Sequence, residues 1–149
     1  GTQNLPAIIG FEKAAKMTFD KIDENYKSVL DIKEYMIERL KEIKDIRINS
    51  PLEDDFSPYI LNVSFIGARA EVLLHLLEDS KIYVATGSAC TSKSSAVSGS
   101  YVIKALGLNN KEVESAIRFS FGHDNKREEV DKTIEVLKTS LMFLRRLRK

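Results

Sequence analysis

From Phe19 to Ile43 apolar residues return every three or four positions, at Phe19, Ile22, Tyr26, Val29, Leu30, Met36, Ile37, Leu40 and Ile43, with Lys, Asp and Glu filling the rest. That period predicts an amphipathic helix lying on a sheet or on another helix, its charged face solvated. A shorter helix is expected before it, over residues 6–17. Asn4 suits its cap and Pro6 its first turn, while Gly10 weakens its middle. The pattern then shifts to period two. Asp45 to Asn49 alternates as a short strand stopped by Ser50-Pro51. Tyr59 to Phe65 is the clearest strand, with Tyr59, Leu61, Val63 and Phe65 on one face and Asn62 and Ser64 on the other.

Gly67 turns the chain into a helix from Ala68 to about Asp79, with Val72, Leu73, Leu76 and Leu77 as its buried stripe. His75 sits among those leucines, where a lone histidine is more often a packed or half-exposed side chain than a ligand. An apolar run at 81–85 follows, expected as a strand, and then a serine-rich loop. Tyr101 to Leu106 predicts a short helix ended by Gly107, and Asn110 is expected to cap another over 111–115. Residues 116–121 read as a strand with Ile117, Phe119 and Phe121 on one face and Arg118 and Ser120 on the other. Gly122 to Asn125 is a turn, and 126–147 a closing amphipathic helix buried through Val130, Ile134, Leu137, Leu141 and Leu144. Strands 45–49 and 59–65 can pair directly, and helices separate the others. The fold class expected is α+β, a small mixed sheet with helices mainly on one face.

A length of 149 residues makes this one domain, 1–149, large enough to bury roughly two thirds of its unfolded surface. Twenty-three Lys and Arg against 22 Asp and Glu leave a formal charge of +1, so no global field recruits nucleic acid or an acidic membrane. The basic end, Arg145-Arg146-Leu147-Arg148-Lys149, reads as the cationic preference of a helix C-terminus. No apolar run reaches spanning length, and no signal-peptide pattern opens the chain. The single cysteine excludes an internal disulfide and a cysteine-based zinc site. A cytoplasmic location is expected, and the start at Gly1 suggests a processed or excised chain. Glu53-Asp54-Asp55 is an acidic surface loop without further ligands nearby for a metal.

Two features carry chemistry. Cys90 lies in Thr86-Gly87-Ser88-Ala89-Cys90-Thr91-Ser92-Lys93-Ser94-Ser95-Ala96-Val97-Ser98-Gly99-Ser100. Free cysteine is among the most buried and inert residue types, yet the hydroxylated neighbours and two glycines describe a loop in which a thiol can be exposed and swing. From the residues alone both readings stand. Arg118 is the other feature. An arginine in a strand commonly sits at a solvent edge; the functional alternative is a planar fork that grips a carboxylate bidentately. There is no glycine-rich phosphate loop and no metal-ligand cluster.

The opening Gly1-Thr2-Gln3-Asn4-Leu5-Pro6, the Gly87-Ser88-Ala89-Cys90 motif, the run Val102 to Leu108 and Ile117-Arg118-Phe119-Ser120-Phe121-Gly122 resemble, in order, the C-terminal part of a cysteine desulfurase. These are pyridoxal-phosphate enzymes of the class V aminotransferase group with the fold-type I architecture. The resemblance implies that Cys90 is the mobile-loop nucleophile, which takes the sulfur of L-cysteine as a persulfide and leaves alanine. It implies that Arg118 binds the substrate carboxylate and that Thr2 contacts the cofactor phosphate of a neighbouring subunit in a homodimer. A sulfur-acceptor or scaffold protein would be the partner, in iron–sulfur cluster or thio-cofactor biosynthesis. Residues 93–100 depart from the Leu-Glu-Pro version of the loop, which leaves the acceptor open. Nothing resembles the Ser-x-His-Lys segment that carries the Schiff-base lysine, so the implied unit is the small domain without the large cofactor-binding one, inactive and without bound cofactor on its own. A selenocysteine lyase or other class V enzyme, and a stand-alone sulfur-carrier or interaction domain, are the alternatives.

Overall fold

The computed structural model describes residues 1–51, 56–87 and 105–147. Five helices and three strands follow in chain order: α1 (Leu5–Phe19), α2 (Ile22–Leu40), β1 (Ile46–Ile48), β2 (Ile60–Phe65), α3 (Ala70–Asp79), α4 (Asn110–Glu114), β3 (Ala116–Ser120) and α5 (Arg127–Arg146). Asn4 caps α1 as its side chain predicts, Oδ1 accepting from the Ala7 amide at 3.2 Å with Pro6 in the first turn. Around α4 the cap is Asn109 rather than Asn110. Its Oδ1 accepts from Glu112 N at 3.1 Å and the Glu112 carboxylate accepts from Asn109 N at 2.8 Å, a reciprocal box that needs Glu three residues after the cap.

The sheet runs β1-β2-β3, and both pairings are antiparallel. The α+β class stands, but the sheet is antiparallel among the described residues, not mixed. Lys81 takes φ +62°, a left-handed conformation, and among the described residues the run 81–85, expected as a strand, contributes only the single bridge Ala85↔Arg118, also antiparallel.

Period two in β2 sends Leu61, Val63 and Phe65, each fully buried, into one face of the sheet. Ile117 and Phe119 of β3 join them, and Phe119 meets Phe65 edge-on with ring centroids 6.4 Å apart. Against this face pack α2 (Ile32, Met36, Ile37, Leu40), α3 (Leu73, Leu77) and α5 (Val130, Ile134, Leu137, Leu141). Helices therefore lie mainly on one face, as expected. Val72, assigned to the α3 stripe, is 43% exposed instead, and His75 is an exposed neighbour of Glu78. Arg145 has a defined use at the chain's basic end. Its guanidinium donates to the carbonyls of Ile66 and Asp45, both at 3.0 Å, tying α5 to the loops flanking β1 and β2.

The periodic stripe of residues 19–43 is only half buried. Val29 to Ile43 enter the core, whereas Phe19, Ile22 and Tyr26 stay exposed and continue the surface of α1, which buries no residue at all. One residue inside the stripe is unexpected. Lys33 is 2% exposed, with Nζ donating to the carbonyls of Ser57 at 3.0 Å and Pro51 at 3.4 Å. Desolvation holds its pKa below the usual lysine value. The unfolded chain thus binds this proton more tightly than the folded one, and stability should rise as the pH climbs from the depressed folded value toward that of free lysine. Denaturant titrations from neutral to alkaline pH are expected to show this gain in the wild type and its absence in Lys33→Met.

Candidate functional site

The polar face of the sheet is built by register. Arg118 of β3 stands opposite Asn62 of β2, and both are half-buried. The backbone of Arg118 is used on its other side: its N donates to Ala85 O at 2.8 Å, and Ala85 N donates to Arg118 O at 3.1 Å. The backbone of Asn62 turns toward β1, its O accepting from Asn49 N at 2.8 Å and its N donating to Ser50 Oγ at 2.8 Å. Arg118 and Asn62 therefore form a non-hydrogen-bonded antiparallel pair, the closer of the two kinds, with side chains adjacent on one face.

Among the described residues the buried Nε of Arg118 has no hydrogen-bond partner. A buried donor left without an acceptor is costly, by about 1–3 kcal/mol, and in a functional cleft it marks the place of an absent acceptor. A carboxylate held as the fork expectation for Arg118 has it would give this atom an acceptor.

Beside this pair lies a network that sequence reasoning left unassigned. Asn49 Nδ2 donates to Asn62 Oδ1 at 2.7 Å and to Ser64 Oγ at 2.8 Å, and Ser64 Oγ donates to Glu112 O at 2.8 Å. Helix α4 covers Ser64 and is itself fixed by the Asn109 cap and by Arg47 Nη1, 2.8 Å from the Glu112 carboxylate. The hydrogen bond from Arg47, and then that from the Asn109 backbone, hold the Glu112 carboxyl below the usual range. A signal for this cluster was present. Asparagine is disfavoured inside strands, and Asn62 sits in the middle of β2.

The predicted site residues are not all brought together. Cys90 lies outside the described residues, as do Glu53, Asp54 and Asp55 and most of the helix expected at 101–106. The structure does place the start of the Cys90 loop. Ala85, paired to Arg118, is five residues before Cys90, a tether of at most about 18 Å at full extension. Thr2 is exposed ahead of α1 and has no described contact with Arg118. A cavity of about 330 Å³ lies between α2, the start of α5 and residues 81–84, with Phe119 and Phe121 in its wall; Arg118 and Thr2 do not line it. Of the residues expected to touch pyridoxal phosphate, Thr2 would offer one hydroxyl to its phosphate. Among the described residues no cluster of metal-ligating side chains exists, and no helix is long and apolar enough to cross a membrane.

Residues 1–133 match the family model for class-V aminotransferases. The chain belongs to that family. Among proteins similar to this class-V chain is a cysteine desulfurase IscS of Vibrio cholerae, 36% identical over 145 residues, covering 97% of this chain and 35% of that protein. A cysteine desulfurase IscS of Escherichia coli is also 36% identical, over 147 residues, with 99% and 35% covered. The fold resembles a NifS-like protein at a TM-score of 0.79 and 29% identity, covering 96% of this chain and 35% of that one. A NifS-like protein from Rickettsia africae superposes at 0.74 with 25% identity, covering 93% and 35%. The chain spans about a third of the length of the relatives it matches.

Proposed function

We propose that residues 1–149 are a single domain, the sulfur-accepting C-terminal part of a pyridoxal-phosphate-dependent cysteine desulfurase. One observation carries the reading. The buried, unpartnered Nε of Arg118 lies on the strand whose backbone pairs with Ala85, and the segment from Ala85 runs into the loop of the only cysteine. Arg118 and the start of the segment that leads to Cys90 are thereby held together, which supports their use at one site. The 36% identity to cysteine desulfurases over nearly the whole chain supports the same assignment.

Within this reading Arg118 holds the carboxylate of L-cysteine and fixes its orientation, as a planar fork does for a planar anion. The sulfur of Cys90 bonds to the substrate sulfur as the carbon–sulfur bond of the substrate breaks. The electron pair of that bond passes to the substrate carbon, which takes up the proton lost by the Cys90 thiol, so the products are alanine and a persulfide on Cys90. The loop then presents the persulfide to a sulfur-acceptor protein serving iron–sulfur cluster or thio-cofactor synthesis. Pyridoxal phosphate would be held largely by residues beyond this chain, with Thr2 as its one contact here. The surface of α1, where Leu5, Ile8, Ile9 and Phe11 are all more than half exposed, fits an element that packs against the remainder of a larger enzyme. We assign that enzyme to the cytoplasm, as a homodimer.

The test uses the full-length polypeptide that carries this chain. Incubated with L-cysteine, it is expected to release alanine and to gain one sulfur atom on the peptide containing Cys90. Alanine release without sulfur on that peptide would refute the assignment of Cys90, and failure to turn over L-cysteine would refute the reading as a whole.

A further inference from the structure

The network beside Arg118 dictates which way the Asn62 amide faces. The hydroxyl hydrogen of Ser64 goes to Glu112 O, so Ser64 Oγ can only accept from Asn49. Asn49 must therefore present Nδ2, whose two hydrogens are consumed by Ser64 Oγ and Asn62 Oδ1. Asn62 in turn must present its oxygen toward β1. Its Nδ2 is left on the other branch of the amide, on a residue whose cross-strand neighbour in β3 is Arg118. Holding this arrangement leaves Asn49 Oδ1 buried without a partner, so the orientation is imposed by the chain from α4 rather than chosen by Asn49.

Asn62 Nδ2 donates to no described residue, and neither does the buried Nε of Arg118. The two residues that carry these donors are cross-strand partners, and among the described residues neither donor has an acceptor. One carboxylate answers both: one oxygen takes Asn62 Nδ2 and the guanidinium takes the charge. We infer that Asn62 is a second donor of the Arg118 site, oriented by Ser64 and Asn49, and that it co-binds the substrate carboxylate. The inference rests on the proposed assignment of Arg118 and extends it to a residue and a relay that reach back to α4.

The experiment compares three compounds on the full-length enzyme: L-cysteine as substrate, L-alanine as a competing carboxylate, and cysteamine, which keeps amine and thiol but lacks the carboxylate. Asn62→Ala is expected to raise KM for L-cysteine and Ki for L-alanine about tenfold, with kcat within about twofold. Cysteamine inhibition should not change. Asn62→Asp, nearly isosteric, keeps an acceptor for Asn49 Nδ2 and turns its second oxygen to Arg118, filling the site from within. Its effect on L-cysteine should exceed that of Asn62→Ala. Ser64→Ala, which frees the Asn49 amide to turn, should reproduce part of the loss. If Arg118→Ala weakens both carboxylates while the two Asn62 variants change neither, the inference is wrong and the reading of Arg118 stands. An Arg118→Ala enzyme with unchanged KM would remove the carboxylate site itself, and this inference with it. Equal weakening of cysteamine in Asn62→Ala would show general damage and also overturn it.

Discussion

Cys90→Ser is expected to end persulfide formation on the loop, a loss on the order of a thousandfold or more, while L-cysteine still binds with its usual affinity. The substitution changes one atom. A serine hydroxyl cannot form the sulfur–sulfur bond that holds the transferred atom, and at neutral pH its alkoxide is far scarcer than a thiolate. Binding should survive because the proposed assignment holds the carboxylate from β3, five residues of chain away from Cys90 by way of Ala85. Mass analysis of the loop peptide after exposure to L-cysteine reads the first part, and the concentration dependence of substrate binding reads the second. A serine variant that still delivered sulfur to an acceptor would remove Cys90 from the reaction. One that lost substrate binding would mean that the loop, and not the strand, holds the substrate.

The core was legible from the sequence where one period ruled a whole element. In α5 the positions Val130, Ile134, Leu137 and Leu141 are all buried, and in β2 alternation alone separates Leu61, Val63 and Phe65 from Asn62 and Ser64. It was less legible where the same period served two surfaces. Phe19, Ile22 and Tyr26 continue the apolar stripe of α2 in sequence but are exposed, as is all but one half-buried residue of α1. Periodicity says that a face is apolar, and it cannot say what covers it. Lys33 shows the converse, a charged residue buried because two loop carbonyls receive its ammonium, which depends on residues 18 and 24 positions away.

The site followed the same division. Arg118 was legible because an arginine opposite three apolar residues in a strand is chemically out of place. That its Nε is left unpartnered depends on tertiary packing. The Ser64–Asn49–Asn62 relay spans β1, β2 and α4, and its logic depends on where a single hydroxyl hydrogen goes, so no one-dimensional pattern contains it. The antiparallel sheet was missed for a related reason. Strand direction depends on which strands pair across the fold, and the run 81–85, strand-like in composition, adds only one antiparallel bridge among the described residues.

Arg118→Ala should raise the apparent dissociation constant for L-cysteine roughly a hundredfold, equivalent to about 2–3 kcal/mol for a charge-assisted carboxylate contact. Fold stability is expected to stay within about 0.5 kcal/mol of the wild type, the range of substitutions that break no buried contact. The two expectations are linked. A buried arginine that pairs with a protein carboxylate leaves that carboxylate stranded when it is removed, and the fold suffers. Arg118 makes no such pair among the described residues, and its Nε already lacks an acceptor in the folded chain. Among the described residues its removal strands no partner and relieves one unsatisfied donor, against the loss of its aliphatic stem on the sheet. Its backbone bonds to Ala85 are made by any residue, so the strand and the start of the Cys90 loop remain in place. Arg118→Lys separates charge from geometry: it keeps the positive charge but not the planar fork, and should recover only part of the affinity. Equilibrium unfolding and substrate titration on the same samples decide the matter. A large loss of stability with unchanged affinity would make Arg118 a structural residue of the sheet edge.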